Sequence, residues 1–149
     1  MNYNTSEKGL GLIKKYEGLK LKSYKCPAGI WTIGYGSTGV DVVEGMEITK
    51  EEAEQRIKSY LTPLENKINK LNLYINQNQF DSIVSLCYNI GFGNFLISTL
   101  LKKVKVNPSD ETIRNEFMKW NKANVKGVLK ELPGLTKRRT EEANLYFDK

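Results

Sequence analysis

Glu17-Gly18-Leu19-Lys20-Leu21-Lys22-Ser23-Tyr24-Lys25-Cys26-Pro27-Ala28-Gly29-Ile30-Trp31-Thr32 changes its periodicity partway along. Upstream of it, Leu10, Ile13 and Glu17 recur at helical spacing and share one face of a helix expected to begin near Ser6. Gly18 is a natural stop just past its end. Glu17 therefore falls at a helix terminus on the apolar side. Downstream, Leu21, Ser23 and Lys25 alternate with Lys22, Tyr24 and Cys26. Pro27-Ala28-Gly29 is turn chemistry, and Ile30 to Tyr35 is rich in β-formers. A short hairpin follows, with Cys26 near the end of one strand and Thr32 on the other. The glycines at 34, 36 and 39 predict a loop or a third short strand near Val40 to Val43.

Thr49-Lys50-Glu51-Glu52 has the pattern of a capping box, and Ala53, Ile57, Tyr60 and Leu61 continue at helical spacing. Thr62-Pro63-Leu64-Glu65 repeats the box with proline in the favoured first position, so the helix is expected to restart or kink there. From Asn78 onward the pattern reads as helical throughout. Phe80, Ile83, Val84, Cys87 and Ile90 form a stripe, residues 96–104 a short apolar helix, Ser109 a cap for a helix reaching Trp120, and Pro133-Gly134 the start of a last helix. The expected class is α+β and helix-dominated, with one small N-terminal β-hairpin.

Composition narrows the chemistry. A chain of 149 residues is long enough for one domain with a real core, and 40% hydrophobic with 27% charged residues suits a globular protein. The net charge of +6 favours anionic partners such as nucleic acid, membrane or cell-wall polymer, although surface lysines are ordinary. The absence of histidine excludes a histidine triad, metal site or pH switch, leaving Glu, Asp, Tyr, Cys or Lys as general acid. No cofactor or metal is expected. Two cysteines do not make a disulfide scaffold, and a Cys26–Cys87 bridge is not expected because Cys87 lies on the apolar stripe of another element. No apolar run reaches the roughly 18 residues of a membrane span. Residues 1–7 lack an apolar signal region.

Taken singly, Glu17, Cys26 and Thr32 have ordinary explanations: a solvated charge, a small buried hydrophobe and a strand residue. Together they resemble the motif of the phage-type lysozymes, glycoside hydrolase family 24: Glu, eight residues, Asp or Cys, five residues, Thr. The similarity continues through Thr32-Ile33-Gly34-Tyr35-Gly36, Ile48 to Ala53, Gln79-Phe80-Asp81 and Tyr88-Asn89-Ile90-Gly91. It recurs at Ser98 to Leu101, Trp120-Asn121 and Leu132-Pro133-Gly134-Leu135-Thr136-Lys137-Arg138-Arg139. It spans essentially the whole chain in order.

The resemblance implies a single lysozyme-like domain over residues 1–149. A small lobe covers about 17–60, a helical lobe covers about 61–149 plus the N-terminal helix at about 6–17, and a cleft lies between them. It implies a muramidase cutting the β-1,4 bond between N-acetylmuramic acid and N-acetylglucosamine of peptidoglycan for phage-induced lysis. Glu17 would be the general acid, with Cys26 and Thr32 activating or positioning water. Tyr88 and Asn89 would face the cleft, and Arg138 or Arg139 would bind there, one of them pairing with Glu17. A monomer is implied, held in the host cytoplasm until a holin opens the way to the wall, with no nucleic-acid partner and no stable membrane insertion. A lytic transglycosylase and a non-catalytic basic binding module are the competing readings. Two departures stand out. Gly36-Ser37-Thr38 replaces the Gly-His-Thr of many relatives. Cys26 replaces the more usual aspartate, exchanging a group of reference pKa about 3.9 for one of about 8.5.

Overall fold

The computed structural model describes residues 2–149. Helix α1 runs Glu7–Glu17, capped by the Ser6 hydroxyl and ended at Gly18 (φ 71°), whose N–H returns to the Lys14 carbonyl. Strands β1 (Lys20–Lys25) and β2 (Trp31–Gly34) form the expected antiparallel hairpin, with Tyr24 opposite Thr32 and Lys25 opposite Trp31. Residues 40–43 are not a strand. Gly39 (φ 144°) and Gly45 (φ 79°) flank them and break extension, and the third pairing to β1 comes later, at Lys22 with Glu47.

The Thr49 capping box opens α2, Lys50–Asn69. This helix runs unbroken through Pro63. The proline removes one N–H, but Ser59 and Pro63 both lie on the exposed side, where water can serve the freed Ser59 carbonyl. Leu61, Leu64 and Ile68 keep the opposite face in the core. Helix α3 (Gln77–Ile90) begins at an Asn76–Gln79 capping box and is buried from Gln79 through Cys87, making it the centre of the helical lobe.

Beyond α3 the chain departs from the sequence expectation. Instead of one helix over 96–104 there are two, α4 (Phe92–Leu96) and α5 (Thr99–Val106), separated where the Ser98 side chain caps the second. Ser109 caps nothing. The Asp110 carboxylate takes the Thr112 N–H at 2.9 Å, and α6 spans only Ile113–Met118. Strands β3 (Lys122–Val125) and β4 (Val128–Glu131) form a second antiparallel hairpin where helix was expected. Its two-residue turn, Lys126-Gly127, has φ of 53° and 82°, the primed geometry that matches strand twist. Helix α7 (Pro133–Tyr146) starts with proline in its first turn and packs on α3 and α6.

The N-terminal segment ties α1 to the helical lobe. Ser6 N–H donates to Asp81 Oδ1 at 3.0 Å, Thr5 N–H to Glu65 Oε2 at 2.6 Å, and Tyr3 N–H to Asn69 Oδ1 at 2.9 Å. Asp81 is fully buried, and the Ser6 N–H and hydroxyl together with the Gln77 amide offset its desolvation. The approach is close enough that a Cβ on Gly9 would lie 2.7 Å from Asp81 Cβ, whereas one on Gly11 would meet nothing within 4 Å. Gly9→Ala should therefore lose about 1–3 kcal/mol of stability by overpacking. Gly11→Ala should gain up to about 1 kcal/mol of helix propensity. Urea denaturation of both variants checks this, and equal midpoints would contradict the close packing of α1 on α3.

Candidate active site

Glu17 is the last residue of α1, and its side chain is 21% exposed. One carboxylate oxygen, Oε2, accepts from Arg138 Nη1 at 2.6 Å. The other, Oε1, faces Gly36 so closely that a Cβ there would lie 2.9 Å from it. Gly36 also has φ 82°, so glycine is required twice over. The chain leaving β2 thus turns at Tyr35 and Gly36 to close over the acid. Tyr88 Oη donates to the Tyr35 carbonyl at 2.6 Å and pins this turn to α3. Burial first, and then the charge of Glu17, push the Tyr88 phenol well up, which keeps it a donor.

Arg138 is almost wholly buried and fully engaged. Besides Glu17, it donates through Nη2 to the Ser85 carbonyl at 3.1 Å and through Nε to Glu142 Oε2 at 3.2 Å. The sequence left Arg138 and Arg139 interchangeable; it is Arg138 that reaches Glu17. Arg139, 0% exposed, turns the other way. Its Nη2 donates to Asn89 Oδ1 at 2.9 Å. Its Nε lies 2.9 Å from Glu142 Oε1 as a charge contact without hydrogen-bond alignment. Burial pushes the Glu142 carboxyl up, while the two guanidiniums and a short hydrogen bond from Ser85 Oγ pull against it.

Thr32 is buried on β2, and its Oγ1 donates to the Ile30 carbonyl at 2.9 Å. Cys26, half-buried, sits where the hairpin loop closes: its N–H reaches the Ile30 carbonyl at 3.0 Å, and its carbonyl accepts from Gly29 at 2.8 Å. The backbone groups of Ile30 and then Ala28 hold the Cys26 thiol below its ordinary pKa, with the Thr32 hydroxyl assisting. Cys26 and Thr32 therefore meet on the hairpin, while Glu17 is gripped by Arg138 of α7 and the Gly36 turn. The thiols of Cys26 and Cys87 are not joined. Tyr88 is half-buried, and Asn89 is exposed.

Several supporting residues had no reading in the sequence. Glu142 carried a usable signal, being three and four residues after the arginines on one helix. Gly36 gave a weaker one in Gly34-Tyr35-Gly36. Ser85 acts through its carbonyl and hydroxyl together, and nothing in its neighbourhood marks it.

A small hairpin lobe against a helical lobe, with a carboxyl at their junction, defines the class as a lysozyme-type glycoside hydrolase. The profile described as "Phage lysozyme" matches residues 14–142. An endolysin of Acyrthosiphon pisum secondary endosymbiont phage 1 is 47% identical over 142 residues, covering 95% of this chain and 96% of that protein. The endolysin structure from Escherichia coli O157:H7 phage FAHEc1 superposes with a TM-score of 0.87 at 38% identity, covering 99% of this chain and 96% of that one. The endolysin of Bacillus phage B103 is 38% identical over 97% of this chain, which spans 54% of that longer protein. The chain belongs to the phage lysozyme family.

The two thiols should differ sharply in reactivity. Cys26 should alkylate with iodoacetamide with a midpoint below that of a free thiol, because a lowered pKa exposes thiolate at lower pH. Cys87, buried and with its thiol pushed up, should react only after unfolding. Peptide mass mapping across a pH series checks this, and a Cys26 midpoint at or above that of free cysteine would contradict the loop geometry.

Proposed function

We propose that this chain is a muramidase that hydrolyses the β-1,4 bond between N-acetylmuramic acid and N-acetylglucosamine of bacterial peptidoglycan during phage-induced lysis of the host. Glu17 protonates the leaving glycosidic oxygen, and Cys26 with Thr32 activates the attacking water. The observation that carries this reading is the clamp on Glu17, with Arg138 at 2.6 Å on one oxygen and the Gly36 turn against the other. Oε2 accepts from Arg138, so the acid form of Glu17 carries its proton on Oε1, and a carboxyl fixed on both sides keeps that direction while the leaving oxygen takes the proton. On the hairpin a thiol with depressed pKa is the group able to take a proton from water. The single Thr32 hydroxyl proton is shared between the Ile30 carbonyl and the Cys26 thiol, so its oxygen lone pairs remain to accept from that water.

Arg138 and Arg139 act from beneath the cleft as positioning residues, since both are buried. Asn89 is exposed, and with its carbonyl oxygen taken by Arg139 it keeps its amide N–H groups for a substrate acceptor. Tyr88 shapes the wall through its ring, its hydroxyl being committed to Tyr35. Among the described residues no helix is long and apolar enough to cross a membrane. Accumulation as a monomer in the host cytoplasm, with access to the wall through a holin, completes the proposal.

Fragment masses test it. Wild type should release fragments one water heavier than the anhydro products of a transglycosylase. Glu17→Gln and Cys26→Ala should each lower kcat by about 10²–10⁴-fold. Anhydro fragments would assign the chemistry to transglycosylation. Full activity in Glu17→Gln would take the general-acid role from Glu17, full activity in Cys26→Ala would remove the thiol from the reaction, and release of no fragments by wild type would leave only a binding module.

A further inference from the structure

Three side chains away from the reacting groups meet where α1, α2 and the end of β2 come together. Lys14 of α1 forms a short ion pair with Glu54 Oε2 of α2, the two side chains being 23% and 27% exposed. Glu54 Oε1 accepts from the Tyr35 hydroxyl at 3.3 Å, and the Lys14 ammonium lies 5.4 Å from the centre of the Tyr35 ring. An ion pair open to water contributes little. This one is largely withdrawn from water, and a single aromatic residue meets both of its charges. The Lys14 hydrogen bond holds the Glu54 carboxyl below the ordinary carboxylate range. Burial, and then the Glu54 charge, push the Tyr35 phenol up, so the carboxylate accepts and the phenol donates.

Tyr35 is 5% exposed and is held by three helices. Its phenol is held by α2, its ring by α1, and its carbonyl by Tyr88 of α3. The Tyr88 bond alone would leave the turn free to pivot about one point, and the grip on the ring and phenol removes that freedom. The next residue is Gly36, whose turn lies against Glu17 Oε1, the oxygen that carries the proton in the acid form. Lys14 and Glu17 are three residues apart on α1 and so are neighbours on its surface. The cluster thus spans the same step, from α1 to the turn, that the acid itself faces.

We propose that Lys14, Glu54 and Tyr35 form a bolt across the lobe junction that positions the Gly36 turn against Glu17, serving the reaction without touching substrate. The proposal rests on the reading of Glu17 as general acid.

Charge exchange tests it, with each full-length variant assayed on soluble glycan strands well below its own unfolding midpoint. Lys14→Glu and Glu54→Lys should each lower kcat about tenfold while KM holds. Combining the two rebuilds the pair in reverse and should return kcat to within about threefold of wild type. Glu54→Gln keeps the shape at a partly exposed position, and should show the fall in kcat without loss of folding. The two charge reversals change net charge in opposite directions, so a general attraction to an anionic substrate would move them oppositely. In amide NMR the Gly36 signal should shift in each single variant and return in the double. Unchanged kcat in the single variants, opposite effects, or a double variant no better than the singles overturns the bolt. Activity surviving in Glu17→Gln would instead overturn the general-acid reading, and the Gly36 signal would still decide whether the cluster holds the turn.

Discussion

Arg138 is the interaction on which the arrangement depends. One guanidinium, buried on α7, reaches the last residue of α1, a backbone carbonyl of α3 and a carboxylate of its own helix. Removing two or three charges from water costs several kcal/mol per ion, and it is tolerable only where nearly every donor and acceptor is matched. Ser85, Glu142 and Asn89 supply much of that matching, while Arg139 Nε and Nη1 and Glu142 Oε1 are held by charge alone, without an aligned hydrogen bond. The helical lobe is thus built around a polar knot as well as an apolar core. Glu17 and Asn89 are the members of the knot that reach the surface, and the position of Glu17 follows from the packing of the helices around Arg138.

The hairpin contributes a constraint of a different kind. Its role at Glu17 comes from a residue with no side chain, because only glycine fits both the backbone angle at position 36 and the space left by the carboxylate. Thr32 and Cys26 are positioned by local hydrogen bonds within ten residues of chain. The acid depends on long-range contacts and the thiol–hydroxyl pair on short-range ones. These two halves of the site can therefore be perturbed independently.

The same division explains what could be read in the sequence. The period of Leu10, Ile13 and Glu17, the Pro27-Ala28-Gly29 turn and the Thr49–Glu52 box are local signals, and the elements they predict are present. Pro63 misleads because its fate depends on which side of α2 faces solvent. The second hairpin escaped because β4 is exposed along its whole length and β3 in alternation, so no stretch of Lys122 to Glu131 buries a continuous apolar face. Its turn uses Lys-Gly, a weaker signal than Asn-Gly. The choice between Arg138 and Arg139 is a matter of tertiary phase, since adjacent residues on a helix point roughly 100° apart.

That second hairpin has a meaning beyond folding. It hangs between Asn121 and Leu132, whose backbone groups are joined at 3.0 Å, and its base is therefore closed before the ribbon begins. A ribbon that gives the core almost nothing and leaves and re-enters the domain at one point is free to drift in length and composition. Changes at its tip are therefore separated by that closed base from the buried charges that hold the acid.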